Sequence, residues 1–241
     1  WVSNIWEYDP KSNKTKQITE FKGGDIKQLA SNSKQLAFEK DGYLYTYNVK
    51  RKRAKKLDIS IQADFPWAET KWQNVASSAK NASLSPSGKR ALFESRGEIF
   101  TVPVEHGSTR NLTKDHSSAD RAPIWSPKGD KIAWFSDEGE QGYKLVLQNQ
   151  DGMGERKTIS IGESKMAWEP QWSPDGKYIA FVDDDVRYRL VDLESETIKT
   201  IDVGGNNLER GYTGLTWAPD SKWLAYAKQA DNGFKQIKVW S

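Results

Sequence analysis

Cysteine is missing from all 241 residues, so neither a disulfide framework nor a thiolate metal site can be built. That absence leaves reducing and oxidising compartments, cytoplasm or periplasm, equally open. Histidine occurs only at His106 and His116. The first falls in the turn Glu105-His106-Gly107 and the second in a polar connection, and no Gly-x-Ser-x-Gly elbow accompanies them. Both are expected to be surface turn residues, with no catalytic group in the chain. No Gly-x4-Gly-Lys-Ser/Thr phosphate cradle is present, which disfavours nucleotide binding. No apolar run approaches the roughly 20 residues that span a bilayer. The one dense carboxylate group, Asp183-Asp184-Asp185, lacks the spacing of a calcium loop. Neighbouring strand residues also point to opposite faces, so a solvated turn is expected there rather than a metal site. No cofactor is implied.

Positive charge is abundant in one place. Lys50 to Lys56 carries six cations, whereas the net charge of the chain is only +3. This run is expected on a hairpin between a third and a fourth strand, where lysine guards an edge against pairing, and not as a nucleic-acid patch. Charged residues make up 29% of the chain and mean hydropathy is −0.80, a surface-rich composition.

What the sequence does hold is a repeated phrase. Leu84-Ser-Pro-Ser-Gly-Lys, Trp125-Ser-Pro-Lys-Gly-Asp, Trp172-Ser-Pro-Asp-Gly-Lys and Trp217-Ala-Pro-Asp-Ser-Lys each run into a short apolar stretch. The anchoring prolines Pro86, Pro127, Pro174 and Pro219 are 41, 47 and 45 residues apart. Pro123 and Pro170 each stand four residues before an anchor, so six of the nine prolines belong to the repeat. A degraded copy begins at Leu29-Ala-Ser-Asn-Ser-Lys. Proline presets φ at the second turn position and glycine accepts the positive φ that follows, so each phrase is a strand, a tight turn and a second strand. Short strands at a period of roughly 40–50 residues specify a β-propeller, one repeat per blade.

The expected fold is therefore all-β: one propeller domain over 1–241 with about five four-stranded blades. A partial blade covers 1–22, and blades follow at about 26–60, 79–113, 121–161, 166–203 and 212–241. Both ends bring a third strand. Either the ring is a distorted five-bladed one or the chain is a fragment of a six- or seven-bladed parent, and the fragment reading is preferred. Any targeting segment would then lie outside this window.

The Ser-Pro-Asp-Gly-Lys repeat resembles the broad TolB-like, WD-like propeller class. More specifically, Ser85 to Thr113, continuing into Asp120-Arg-Ala-Pro-Ile-Trp-Ser-Pro127 and Ser136-Asp-Glu, resembles the propeller region of tricorn-type proteases. In that family propellers precede a PDZ-like domain and a serine-protease domain. The resemblance thus implies a non-catalytic module that binds or gates peptides for a protease domain elsewhere in a parent chain. No catalytic residue carries over. The alternative is a free-standing TolB-like platform for a protein partner.

Register nominates the site. The residue six before each anchor is expected on the loop entering an innermost strand, at one mouth of the central channel. These residues are Asp25, Lys80, Arg121, Trp168 and Thr213, with Glu169 and Tyr212 adjacent. Lys80 and Arg121 are placed to attract a peptide carboxylate through charge-assisted hydrogen bonds. Among the tryptophans, Trp125, Trp172 and Trp217 are expected in the core, and off-register Trp67, Trp72 and Trp168 under loops, with anchoring of a ligand at an exposed rim as the alternative.

Overall fold

The repeated phrase folds the same way each time. A computed structural model describes residues 2–241 apart from 116, 140–141, 163, 205–212 and 231. In it Gly88, Gly129 and Gly176 donate their N–H to the carbonyls of Ser85, Ser126 and Ser173 at 2.8, 2.9 and 2.9 Å. Their φ values are +69°, +72° and +78°, the region open to glycine at no steric cost. The fourth copy puts Ser221 there at +61°, bonded back to Ala218 at 2.9 Å. The serine hydroxyls accept the N–H of Arg90, Lys131 and Tyr178 at 3.1, 3.1 and 2.9 Å, which ties each turn to its second strand.

The chain divides into two compact units, Trp1–Lys71 and Trp72–Ser241. In the first, β1 (Trp6–Asp9) pairs with β2 (Lys14–Gln17). A four-stranded antiparallel sheet follows in chain order: β3 (Ile26–Ser31), β4 (Gln35–Lys40), β5 (Tyr43–Asn48) and β6 (Arg53–Lys56). Its core is Ile5, Phe38 and Tyr47, with Phe38 stacked on Tyr45 at 5.6 Å between centroids. The basic run sits on the β5–β6 hairpin and the outer strand β6, and the Lys56 ammonium lies 3.1 Å from the centre of the Tyr43 ring.

The second unit repeats that sheet. Its first copy is β7 (Lys80–Leu84), β8 (Arg90–Ser95), β9 (Glu98–Pro103) and β10 (Arg110–Asn111). The second is β11 (Asp120–Trp125), β12 (Lys131–Ser136), β13 (Lys144–Asn149) and β14 (Lys157–Ser160). The third is β15 (Ala167–Trp172), β16 (Tyr178–Asp183), β17 (Arg187–Asp192) and β18 (Ile198–Val203). A three-stranded sheet closes the chain with β19 (Thr216–Trp217), β20 (Leu224–Gln229) and β21 (Lys235–Trp240). Every strand pairs antiparallel with its chain neighbour, and β11 touches both β7 and β15, so first strands of successive sheets lie side by side.

Sequence explains this packing. β12 and β16 are buried on both faces over Ile132–Ser136 and Ile179–Asp183, because each second strand has a neighbouring sheet above and below. Phe135 and Phe181 meet edge to face at 5.2 Å between the second and third of these sheets. Each such fully buried side chain stabilises the fold by about 1.5–3 kcal/mol.

Two expectations need correction. Trp67 and Trp72 do not pack under loops: both are exposed, Trp72 completely, in a connection where the Phe65 ring meets Trp67 edge to face at 5.5 Å without covering it. Asp183 is not part of a solvated turn. It is 1% exposed, since the last residue of a second strand is held between sheets while only Asp184 and Asp185 enter the turn.

Candidate functional site

Each complete first strand carries the same irregularity. Pairing slips between Lys27 and Ala30, Lys80 and Ser83, Arg121 and Ile124, and Trp168 and Gln171. Inside each slip stands one residue in the left-handed region: Gln28 (φ 52°), Asn81 (49°), Ala122 (50°) and Glu169 (51°). Gly214 (62°) holds the matching place before β19. Pro123 and Pro170 follow the bulge residue; lacking an N–H, proline loses nothing where the ladder is already broken. A left-handed residue with a side chain costs about 1–2 kcal/mol, so the surroundings must hold it.

Carboxylates do so. The Glu94 Oε2 on β8 accepts the Ala122 N–H of the next sheet at 2.6 Å and the Asn81 side-chain amide at 2.7 Å. Glu169 accepts the N–H groups of Thr213 and Gly214 at 3.0 and 3.2 Å and the Thr213 hydroxyl at 2.8 Å. Trp125 and Trp217 add a second tie between sheets, donating their indole N–H to the carbonyls of Ser83 and Gln171 at 3.1 and 3.2 Å.

The bulges at Asn81, Ala122 and Glu169 wall a cavity of about 640 Å³ in the second unit. Its inner edge is Asn81–Ser83, Ala122–Ile124 and Trp168–Gln171, and it runs on to Asp183, Val186, Tyr188, Thr213, Gln229 and Lys235. Of the residues expected at the channel mouth, Trp168, Glu169 and Thr213 come together here. Lys80 and Arg121 are exposed and stand one residue before the lining positions Asn81 and Ala122. Asp25 lies in the first unit, where its carboxylate accepts the Ser3 N–H at 2.8 Å. The β3–β4 turn is two residues shorter than the others, so Lys27, not Asp25, occupies the register of Lys80. Tyr212 falls outside the described residues, as does His116; His106 is exposed in its turn.

Sequence reasoning missed the far wall. Asp183 accepts hydrogen bonds from the Arg187 Nε at 2.7 Å, the Ser164 hydroxyl at 2.6 Å and the Arg187 backbone N–H at 2.9 Å, with Arg189 Nη1 at 3.4 Å. Tyr188 donates to the Ala227 carbonyl at 2.8 Å, and its phenol is pushed up to about 12 by burial and by the charges of Asp202 and Glu169. The signal was the pair Arg187 and Arg189 on alternate positions beside Asp183. Chemically this is a recessed surface with apolar walls, whose carboxylates are already committed to donors. Among the described residues no three metal-ligating side chains converge.

Next to Tyr188, Tyr226 donates to Asp202 at 2.9 Å. Burial opposes ionisation of Asp202. The Lys228 ammonium at 2.6 Å, the Val203 amide and the Tyr226 hydroxyl outweigh it and hold the carboxyl below its ordinary 3.8. A folded-state value below the unfolded one stabilises the protein above that pH and is lost as pH falls through the folded value. Wild type should therefore lose more stability than Asp202→Asn from about pH 5 downward. Denaturation midpoints of both proteins across that range check it, and parallel curves would refute it.

Comparison with known proteins gives four likenesses. The family model described as "Tricorn protease second beta propeller domain" matches residues 79–241. A tricorn protease homolog of Saccharolobus solfataricus is 26% identical over 226 residues, covering 94% of this chain and 20% of that protein. The crystal structure of the tricorn protease superposes with a TM-score of 0.57 at 20% identity, over 98% of this chain and 23% of that one. TolB from Acinetobacter baumannii reaches 0.54 at 16% identity, over 99% and 57%. The chain thus spans about a fifth of the length of the tricorn relatives it matches, and the two structures speak to fold alone.

Proposed function

Because the chain belongs to the tricorn protease second β-propeller domain family, we propose that it binds peptides and gates their passage toward a protease domain outside this sequence. It contributes no catalytic group itself, and its partners are peptides together with the PDZ-like and protease domains of the parent chain. The observation that carries this reading is the 640 Å³ cavity on the first strands of the second unit. Binding clefts of that size with apolar walls and a few fixed polar groups suit a short peptide or a side chain. Trp168 supplies the flat apolar contact. Glu169 and Thr213 fix the wall, and Lys80 and Arg121 beside the lining strands draw in a carboxylate.

The test is calorimetric titration of short peptides with free C-termini into the chain. Trp168→Ala should weaken binding about tenfold or more, the loss typical of an aromatic anchor. Lys80→Ala combined with Arg121→Ala should weaken binding and flatten its salt dependence. Wild type that binds no peptide but holds one protein tightly would overturn the gating reading in favour of an interaction platform.

A further inference from the structure

Another cavity of the larger unit, about 540 Å³, opens beside β10, the outer strand of its first sheet. Thr109 to Lys114, on and around β10, form one wall. Asp151 to Met153 and Arg156, from the connection between β13 and β14 in the next sheet, form the other. Three lining side chains are cations, Arg110, Lys114 and Arg156, and Asp151 offsets only one of those charges. None of the three cations forms an ion pair with a described residue.

Arg156 departs from the repeat. Lys157 pairs with Leu147, so Arg156 stands one place further along, at the register that Ile198 holds in the third sheet. Ile198 packs against the core, whereas Arg156 lies half-buried over the Trp134 ring, 5.6 Å from its centre. Its Nη2 donates to the carbonyls of Leu112 and Thr113 at 3.3 and 3.0 Å, which holds the guanidinium in place. Nε and Nη1 have no partner among the described residues, and neither is shut away from solvent. The facing wall is fixed as well. Asn111 Oδ1 accepts the N–H groups of Thr113 and Lys114, both at 3.1 Å, with Lys114 at a φ of 53°. Burial, and then the charge of Arg110, push the Arg90 guanidinium below its ordinary value, so positive charge accumulates across β8 to β10. Asp151 Oδ1 accepts the Met153 N–H at 2.8 Å, and the Met153 residue is 68% exposed at the edge of the cavity.

We propose that this cavity docks an acidic peptide segment, two neighbouring carboxylates with an apolar side chain beside them. One carboxylate accepts from the unspent nitrogens of Arg156, and the other from Arg110 and Lys114. Hydrogen bonds between ionised partners are roughly twice as strong as neutral ones, so a glutamine in place of a glutamate forfeits most of the attraction. Met153 covers the apolar side chain. A lone inorganic oxyanion has no use for Met153 and leaves most of the 540 Å³ empty, which favours a peptide. Docking here uses other residues and another cavity than peptide gating, so either can fail without the other.

The experiment is fluorescence anisotropy at fixed ionic strength, with a rhodamine-labelled Glu-Glu-Leu-Glu peptide whose C-terminus is an amide. The wild-type chain should bind it saturably, and the same peptide with glutamine for every glutamate at least about tenfold more weakly, the worth of one charge-assisted hydrogen bond. Arg156→Gln should also cost at least about tenfold. Arg110 and Lys114 are exposed, so Arg110→Gln combined with Lys114→Gln leaves the fold intact and should weaken binding by a similar factor. Undiminished binding by that double variant would place the peptide elsewhere, on the Lys50–Lys56 run for example, and overturn the proposal. Equal binding of the glutamine peptide would do the same. So would displacement by inorganic phosphate as effective as that by unlabelled acidic peptide, which would make this a plain anion site.

Discussion

Replacing Asp183 by alanine should destabilise the protein by about 3–5 kcal/mol, the cost of removing one partner from a buried ion pair. The carboxylate is fully buried and serves Arg187 at 2.7 Å, Arg189 at 3.4 Å, the Ser164 hydroxyl and two backbone N–H groups. Without it, Arg189, itself only 7% exposed, loses this carboxylate in the wall between sheets, while Arg187 retains the ion pair of its Nη2 with Asp185 at 3.3 Å. Asp183→Asn keeps the shape and part of the hydrogen bonding, so it should fall between alanine and wild type. Urea denaturation reads both: the midpoint should drop at unchanged m-value. A loss under about 1 kcal/mol for alanine would show that water reaches these arginines and that the wall is not a closed one.

Trp134→Ala should cost a similar amount, about 3–5 kcal/mol. The indole is 1% exposed and packs between the first and second sheets of the larger unit with Leu92, Ile99, Ile132 and Val146. Its N–H donates to Asp120 Oδ1 at 2.9 Å, a carboxylate that is 2% exposed and whose pKa burial pushes up. The Arg156 guanidinium lies 5.6 Å over the same ring and spends Nη2 on the carbonyls of Leu112 and Thr113. Trp134→Phe separates the contributions, since it keeps most of the packing and loses the hydrogen bond to Asp120, at about 1–3 kcal/mol. Equal losses for phenylalanine and alanine would assign the whole effect to Asp120.

The turns were legible in the sequence because turn chemistry is local. A proline that fixes φ and a glycine that tolerates a positive one leave the backbone few choices, so Pro86, Pro127, Pro174 and Gly88, Gly129, Gly176 mark the strands without help from distant residues. The same logic misled at the degraded copy. Counting back from Ser31 lands on Asp25, but the turn there is two residues shorter, and pairing rather than counting identifies Lys27. The bulges were invisible for another reason. The left-handed place is filled by Gln28, Asn81, Ala122, Glu169 and Gly214, which share no residue type, and at Ala122 and Gly214 it is a carboxylate from another strand that holds the backbone N–H.

The sequence by itself determined the class of fold, the repeat and its family resemblance, and its register singled out Trp168, Glu169 and Thr213, which line one cavity. Period-two strands and φ-restricted turns are properties of neighbouring residues. Only the tertiary structure decided that Asp183 is buried against Arg187 and Arg189, that Lys80 and Arg121 stand outside the cavity they adjoin, and that Arg110, Lys114 and Arg156 line another. Those outcomes depend on which sheet face meets which, and burial, charge pairing and unspent hydrogen bonds exist only once residues tens of positions apart are in contact.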